Sequence, residues 1–75
     1  MKEVLEAIAK SLVDNQEEVK VTEEVREDVV VLNLTVAQSD MGKVIGKSGK
    51  VAKAIRQVLS AAASRDKLKV IVDIG

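Results

Sequence analysis

Gly46 and Gly49 enclose Lys47 and Ser48, and Lys43, Lys50 and Lys53 flank them, forming the densest group of chemically competent residues in this 75-residue chain. Two glycines three apart permit a tight turn with no Cβ in the way, so an extended ligand can lie against the main chain. The second glycine opens a helix, whose first amides and dipole favour an anion. The lysines add mobile positive charge around the same point. From Met41 to Arg65 the basic residues are Lys43, Lys47, Lys50, Lys53, Arg56 and Arg65, with no acid among them. The chemistry this pattern fits is phosphate binding. A solvated helix face is the plainer reading of any charge run; here the glycine spacing favours the anion site, while Arg56 and Arg65, farther along, keep the plainer reading.

Two alternatives are weaker. Gly46-Lys47-Ser48 looks like the end of a P-loop, but that motif needs its first glycine where Met41 stands, and it follows a strand rather than a short helix. Catalysis starts from a poor inventory, because the chain has no His and no Cys, hence no imidazole base, no thiolate and no disulfide. The acids of the middle segment, Glu23, Glu24, Glu27 and Asp28, read as a solvated strand edge that repels other strands. No enzyme activity, no metal and no cofactor are expected.

Composition adds limits on partners. The formal net charge is zero, yet residues 1–40 carry four basic against ten acidic residues, a net of −6, and residues 41–75 carry eight basic against two acidic, a net of +6. The basic half should attract a polyanion. Phe, Tyr and Trp are absent, so bases cannot be recognised by aromatic stacking. The longest apolar run is Val29 to Leu32, far short of the roughly 20 residues of a membrane span. No cleavable leader is evident after Met1, and with cysteine absent the cytoplasm is the expected location.

The elements that must position the glycine loop follow from periodicity. Val4, Leu5, Ile8, Ala9, Leu12 and Val13 draw one stripe along a helix over 2–13. Val19, Val21 and Val25, then Val30, Leu32, Leu34 and Val36, alternate with polar neighbours and predict two strands. The short polar Arg26-Glu27-Asp28 joins them as an antiparallel hairpin without the usual Asn-Gly signal. Ser39-Asp40 reads as the capped start of a short helix over about 40–45. After the loop, Val51, Ala54, Ile55, Val58, Leu59 and Ala62 predict a helix over about 50–64, and Leu68, Val70, Val72 and Ile74 a final strand. Two helices between the second and third strands form a crossover long enough to make those strands parallel. The predicted fold is α+β, a two-layer sandwich of order α-β-β-α-α-β whose three-stranded mixed sheet is covered on one face by three helices. One domain over 1–75 is expected, with Val19, Val21, Leu32, Leu34, Val36, Val70 and Val72 facing the helices.

Val44-Ile45-Gly46-Lys47-Ser48-Gly49-Lys50-Val51-Ala52-Lys53-Ala54-Ile55-Arg56 resembles the signature of the KH domain, and the element order is similar to its bacterial, type II form. The resemblance spans the chain, and its opening Lys2 to Asp14 is similar to the small single-domain KhpA proteins. It implies that Gly46 and Gly49 clamp the backbone of single-stranded RNA, with Lys47 and Ser48 as the variable loop positions; Lys47 there supports retained binding. It also implies an apolar groove floor, for which Ile45, Ile55 and Ile71 are the candidates, against a plain core role for Ile45 and Ile55. Ser48 either contacts phosphate or caps the long helix. The resemblance further implies homodimers and a larger KH-containing partner, KhpB, in work linked to cell shape and division. Small Ala61, Ala63 and Ser64, or Val29 and Val31 on an outer strand, are the candidate dimer faces.

The function expected is binding of single-stranded RNA, as an RNA chaperone or post-transcriptional regulator. Single-stranded DNA stays open, because the loop reads phosphates. The alternative is an interaction adaptor in which the KH fold is chiefly a dimerisation platform.

Overall fold

A computed structural model describes all residues, 1–75. The helices are α1 (Lys2–Leu12), α2 (Met41–Ile45) and α3 (Lys50–Arg65), and the strands are β1 (Lys20–Arg26), β2 (Val29–Thr35) and β3 (Lys69–Ile74). Single 3₁₀ turns at Gln16–Glu18, Gln38–Asp40 and Lys47–Gly49 complete the chain. The order is the predicted helix-strand-strand-helix-helix-strand. The sheet runs β1-β2-β3, with β1 antiparallel and β3 parallel to β2. Val29 and Val31 therefore lie on the central strand, not an outer one.

Alternation decides which residues meet the helices. Register pairs Val21 with Leu34, Leu32 with Val72, and Val30 with Val70, all of the parity that faces the helical layer. Leu5 and Ala9 of α1, Val44 of α2, and Ile55 and Leu59 of α3 close over this row to form one core. Each Leu or Ile so enclosed contributes about 1.5–3 kcal/mol of transfer free energy. Of the seven residues expected on this side, Val70 is half-buried and the rest are buried. Lys20, Thr22, Glu24, Asn33, Thr35, Lys69 and Asp73 are exposed on the other face, as the pattern predicts. Ala63 is fully buried against the core, so it is not available to a dimer face.

Two reversals are made without glycine. The hairpin closes at Glu27-Asp28, between the paired Arg26 and Val29, with Glu27 at φ 52°. At the end of α3, Leu68 donates to the Ala63 carbonyl at 2.9 Å and Lys67 to the Ser64 carbonyl at 3.1 Å, while Lys67 takes φ 58°. That bond pair is a Schellman motif, in which the left-handed position ordinarily holds glycine. Leu68, packed against the core, supplies the apolar contact that accompanies it.

The Lys67 conformation yields a test. Lys67→Gly removes the Cβ penalty of a left-handed residue and is expected to stabilise the fold by roughly 0.5–1 kcal/mol after the larger unfolded-state entropy of glycine is set against it. Urea unfolding followed by far-UV circular dichroism reads this directly, and a loss of stability would show that the Lys67 side chain contributes more than its strain.

Candidate functional site

The last turn of α2 ends where the Gly46 amide donates to the Gly42 carbonyl at 2.8 Å. Gly46 then adopts φ 78°, ψ 173°, a region open essentially to glycine alone. A Cβ placed there would lie 2.3 Å from Val51 Cγ2 and 2.8 Å from the Val51 backbone nitrogen. Glycine is thus required twice, by dihedral and by space. Gly49, at φ 76°, ψ 12°, is favoured by dihedral only, since a Cβ there would meet nothing within 4 Å. Its amide donates to the Gly46 carbonyl at 3.1 Å, which folds the four residues into a compact turn.

Ser48 sits between them at φ 57°, ψ 26°, left-handed despite its side chain. Its hydroxyl caps nothing: the residue preceding α3 is Gly49, and no side chain bonds the amides of the first turn. The capping role expected for Ser48 is not adopted, because the loop turns it away from the helix start. The main chain at the tip of the loop is left bare of side-chain partners, and Lys47, Lys50 and Lys53 are exposed around it without an ion pair.

Lys43 behaves differently. Its ammonium pairs with the Asp14 carboxylate and lies 3.3 Å from Asp40 Oδ1. Asp40, in turn, does not cap α2. The residue is 2% exposed, and its carboxylate accepts from the Asp14 amide at 3.3 Å and the Asn15 amide at 3.0 Å, just beyond the end of α1. Neither Ser39 nor Asp40 makes the predicted cap bond to α2. Local sequence marks Asp40 as a helix starter, whereas its partners lie about 25 residues back in the chain and come within reach only in the fold. Donation from the Asn15 amide, with smaller help from the Asp14 amide and Lys43, holds the Asp40 carboxyl below its ordinary value of 3.8 despite burial. The bond to Asp14, opposed by desolvation and aided by Asp40, raises the Lys43 ammonium above 10.5.

The apolar candidates separate. Ile45 is 36% exposed beside Gly46, and Ile55 belongs to the core. Ile71 is 48% exposed, but it pairs in register with Val31 on the parity opposite to Val70 and Val72. It therefore points from the sheet face that has no helices, and the structure does not bring it together with the loop. Arg56 is not simply solvated: its Nε donates to the Val72 carbonyl at 3.2 Å, tying α3 to β3. Sequence spacing gave no sign of that bond. The one concavity of note lies on the outer side of α1, lined by Glu3, Glu6, Ala7 and Lys10, on a different element from the loop.

A helix, a Gly-x-x-Gly turn and a second helix, packed on a three-stranded mixed sheet in this element order, make a type II KH domain. The chain belongs to the KhpA/KhpB KH-domain family, whose model matches residues 2–74. It is 55% identical over 74 residues to the "RNA-binding protein KhpA" of Clostridium perfringens, covering 99% of both chains. The proteins of that name from Chlamydia trachomatis and Aquifex aeolicus are 49% and 42% identical over the same length, with 95% and 94% of their own chains covered.

Two predictions follow from the geometry. Gly46→Ala combines a forbidden dihedral with a backbone clash and is expected to destabilise by on the order of 3 kcal/mol, against about 1 kcal/mol for Gly49→Ala, where strain acts alone. Paired urea titrations check this, and equal losses would show that the Val51 contact yields easily. For Asp40, a native pKa below the unfolded one means stability that is full above the unfolded value and lost as pH falls through the native value. The stability difference between the parent and Asp40→Asn is thus expected to be constant near neutral pH and to shrink below about pH 4, as thermal melts across pH 2–7 would show.

Proposed function

We propose that this chain binds single-stranded RNA by laying the sugar-phosphate backbone across the bare main chain of Gly46 to Gly49. The observation that carries this reading is the loop itself, a turn whose glycines keep side chains away from the peptide surface while three lysines without acidic partners surround it. Lys47 sits at the tip, and Lys50 and Lys53 lie on the first turn of α3, within one helical turn of the same anion. Ser48, free of any cap bond, offers its hydroxyl to a phosphate oxygen. Ile45, exposed where α2 enters the loop, is the apolar surface for a base. Lys43 and Ile71 are left out of this contact set, the first held by two carboxylates and the second on the far side of the sheet.

The relatives that carry the name RNA-binding protein support the choice of polyanion. With no aromatic residue, recognition rests on charge, main-chain hydrogen bonds and one small apolar contact, so affinity is modest and sequence preference loose. A cytoplasmic RNA chaperone or post-transcriptional regulator is the role such binding suits. A dimer, with itself or with a KhpB-like chain, would raise effective affinity with no new contact at the loop. With Ala63 enclosed, the helix-end dimer face reduces to Ala61 and Ser64.

Fluorescence anisotropy with labelled single-stranded RNA tests the proposal. Three phosphate-neutralising lysines predict that log Kobs falls with log salt at a slope of about −2 for a single strand. The Lys47→Asp, Ser48→Asp variant is expected to lose at least about tenfold in affinity, since it reverses charge where the backbone would lie. Equal binding by parent and variant would move the function away from the loop, and a DNA strand of the same sequence run alongside reports how far the 2′-hydroxyl matters.

A further inference from the structure

The two carboxylates that hold Lys43 differ in kind. Asp40 is enclosed, with each oxygen already accepting a backbone amide, so it is a fixed part of the scaffold. The Asp14 side chain is 87% exposed on the segment leaving α1, and its one polar partner is the Lys43 ammonium. Lys43 itself is half-exposed and belongs to the acid-free basic run, three residues before Gly46 on the helix that enters the loop. Residues three apart on a helix have Cβ atoms roughly 5–6 Å from one another, a span the four-methylene stem of lysine covers. Without Asp14, the Lys43 ammonium would keep only the Asp40 contact at 3.3 Å, on a stem long enough to swing toward the loop; bound to Asp14, it is turned back toward the end of α1.

Resting on the RNA reading above, we propose that Asp14 is a restraining residue: by holding Lys43 against Asp40, it limits the loop to three phosphate-binding lysines and withholds a fourth. An exposed ion pair is weak and contributes little to stability, which makes this contact easy to remove without harm to the fold. The acidic half of the chain thereby sets the affinity of the basic half through one side chain. Asp14 also carries negative charge close to the ligand path, so loss of plain repulsion is the competing account, and a double-mutant cycle separates the two.

Parent, Asp14→Asn, Lys43→Met and the double variant are titrated with the same labelled single-stranded RNA at about 50 and about 200 mM salt, after matching circular-dichroism melts show that all are folded. Asp14→Asn is expected to bind roughly two- to fivefold more tightly at the lower salt, the range an exposed ion pair can withhold, with a slope steeper by up to about 0.7, the increment of one added phosphate contact on a single strand. Lys43→Met should match the parent within about twofold, and the double variant should match Lys43→Met. No gain on Asp14→Asn, a gain that persists in the double variant, or a clear loss on Lys43→Met each overturns the restraint while leaving RNA binding by the parent intact. Absence of binding by the parent removes the RNA reading, and the restraint falls with it.

Discussion

Val51 stands so close to the main chain of Gly46 that no side chain fits between them, and much of the helix-turn-helix half follows from that contact. Because Gly46 must take a glycine-only conformation there, α2 stops after five residues and the chain reverses within four. Val51 is also packed against the core, so the loop is braced from beneath rather than free. Val44 on one side and Ile55 on the other are buried in the same cluster, which fixes the directions of both helices that leave the turn. A rigid, uncovered stretch of peptide results, with lysines standing around it and none lying across it. For the RNA contact proposed above, such preorganisation would matter most in a chain with no aromatic anchor, since little binding energy would be available to order a loose loop.

Charge is distributed in three tiers about that turn. Lys47, Lys50 and Lys53 are open to solvent, Arg56 is bonded to the sheet, and Lys43 is tied to two carboxylates. The strong segregation of acids and bases along the sequence survives folding, but not as two insulated halves. Asp14 and Asp40 cross from the acidic half to meet Lys43, and in doing so they join the end of α1 to the start of α2. The acids of the middle segment form no ion pair with the basic half: Glu23, Glu24, Glu27 and Asp28 lie along β1 and its turn, at the sheet edge opposite to β3, where Glu24 pairs with Arg26 of the same strand.

What was legible in the sequence was whatever repeats. The Val51 to Ala62 stripe, the strand alternations and the long crossover each carry a period or a length, and those elements, their order and their pairing are as read. Chain reversals were harder, because Glu27 and Lys67 take positive φ with no glycine to announce it. Side chains whose partners are distant in sequence were hardest. Asp40 has the residue type and position of a helix cap, and only the folded chain brings the amides of Asp14 and Asn15 to it. Lys43 is indistinguishable by spacing from Lys47 or Lys50 until its two acids arrive. For Ile71, alternation told that it leaves the core, while the side of the sheet from which it leaves depends on where the helices pack.

Arg56 has a consequence for the sheet as a whole. β3 is an outer strand, and the Val72 carbonyl is one of the acceptors it would otherwise offer to a strand from another molecule. A guanidinium seated on that acceptor interrupts the row at its middle, and the charge it brings opposes close approach of a second backbone. On the far edge, the acids of β1 repel an incoming strand by a different means. Both flanks of the sheet are thereby guarded against templated growth into fibrils, one by a bonded guanidinium and the other by a row of acids.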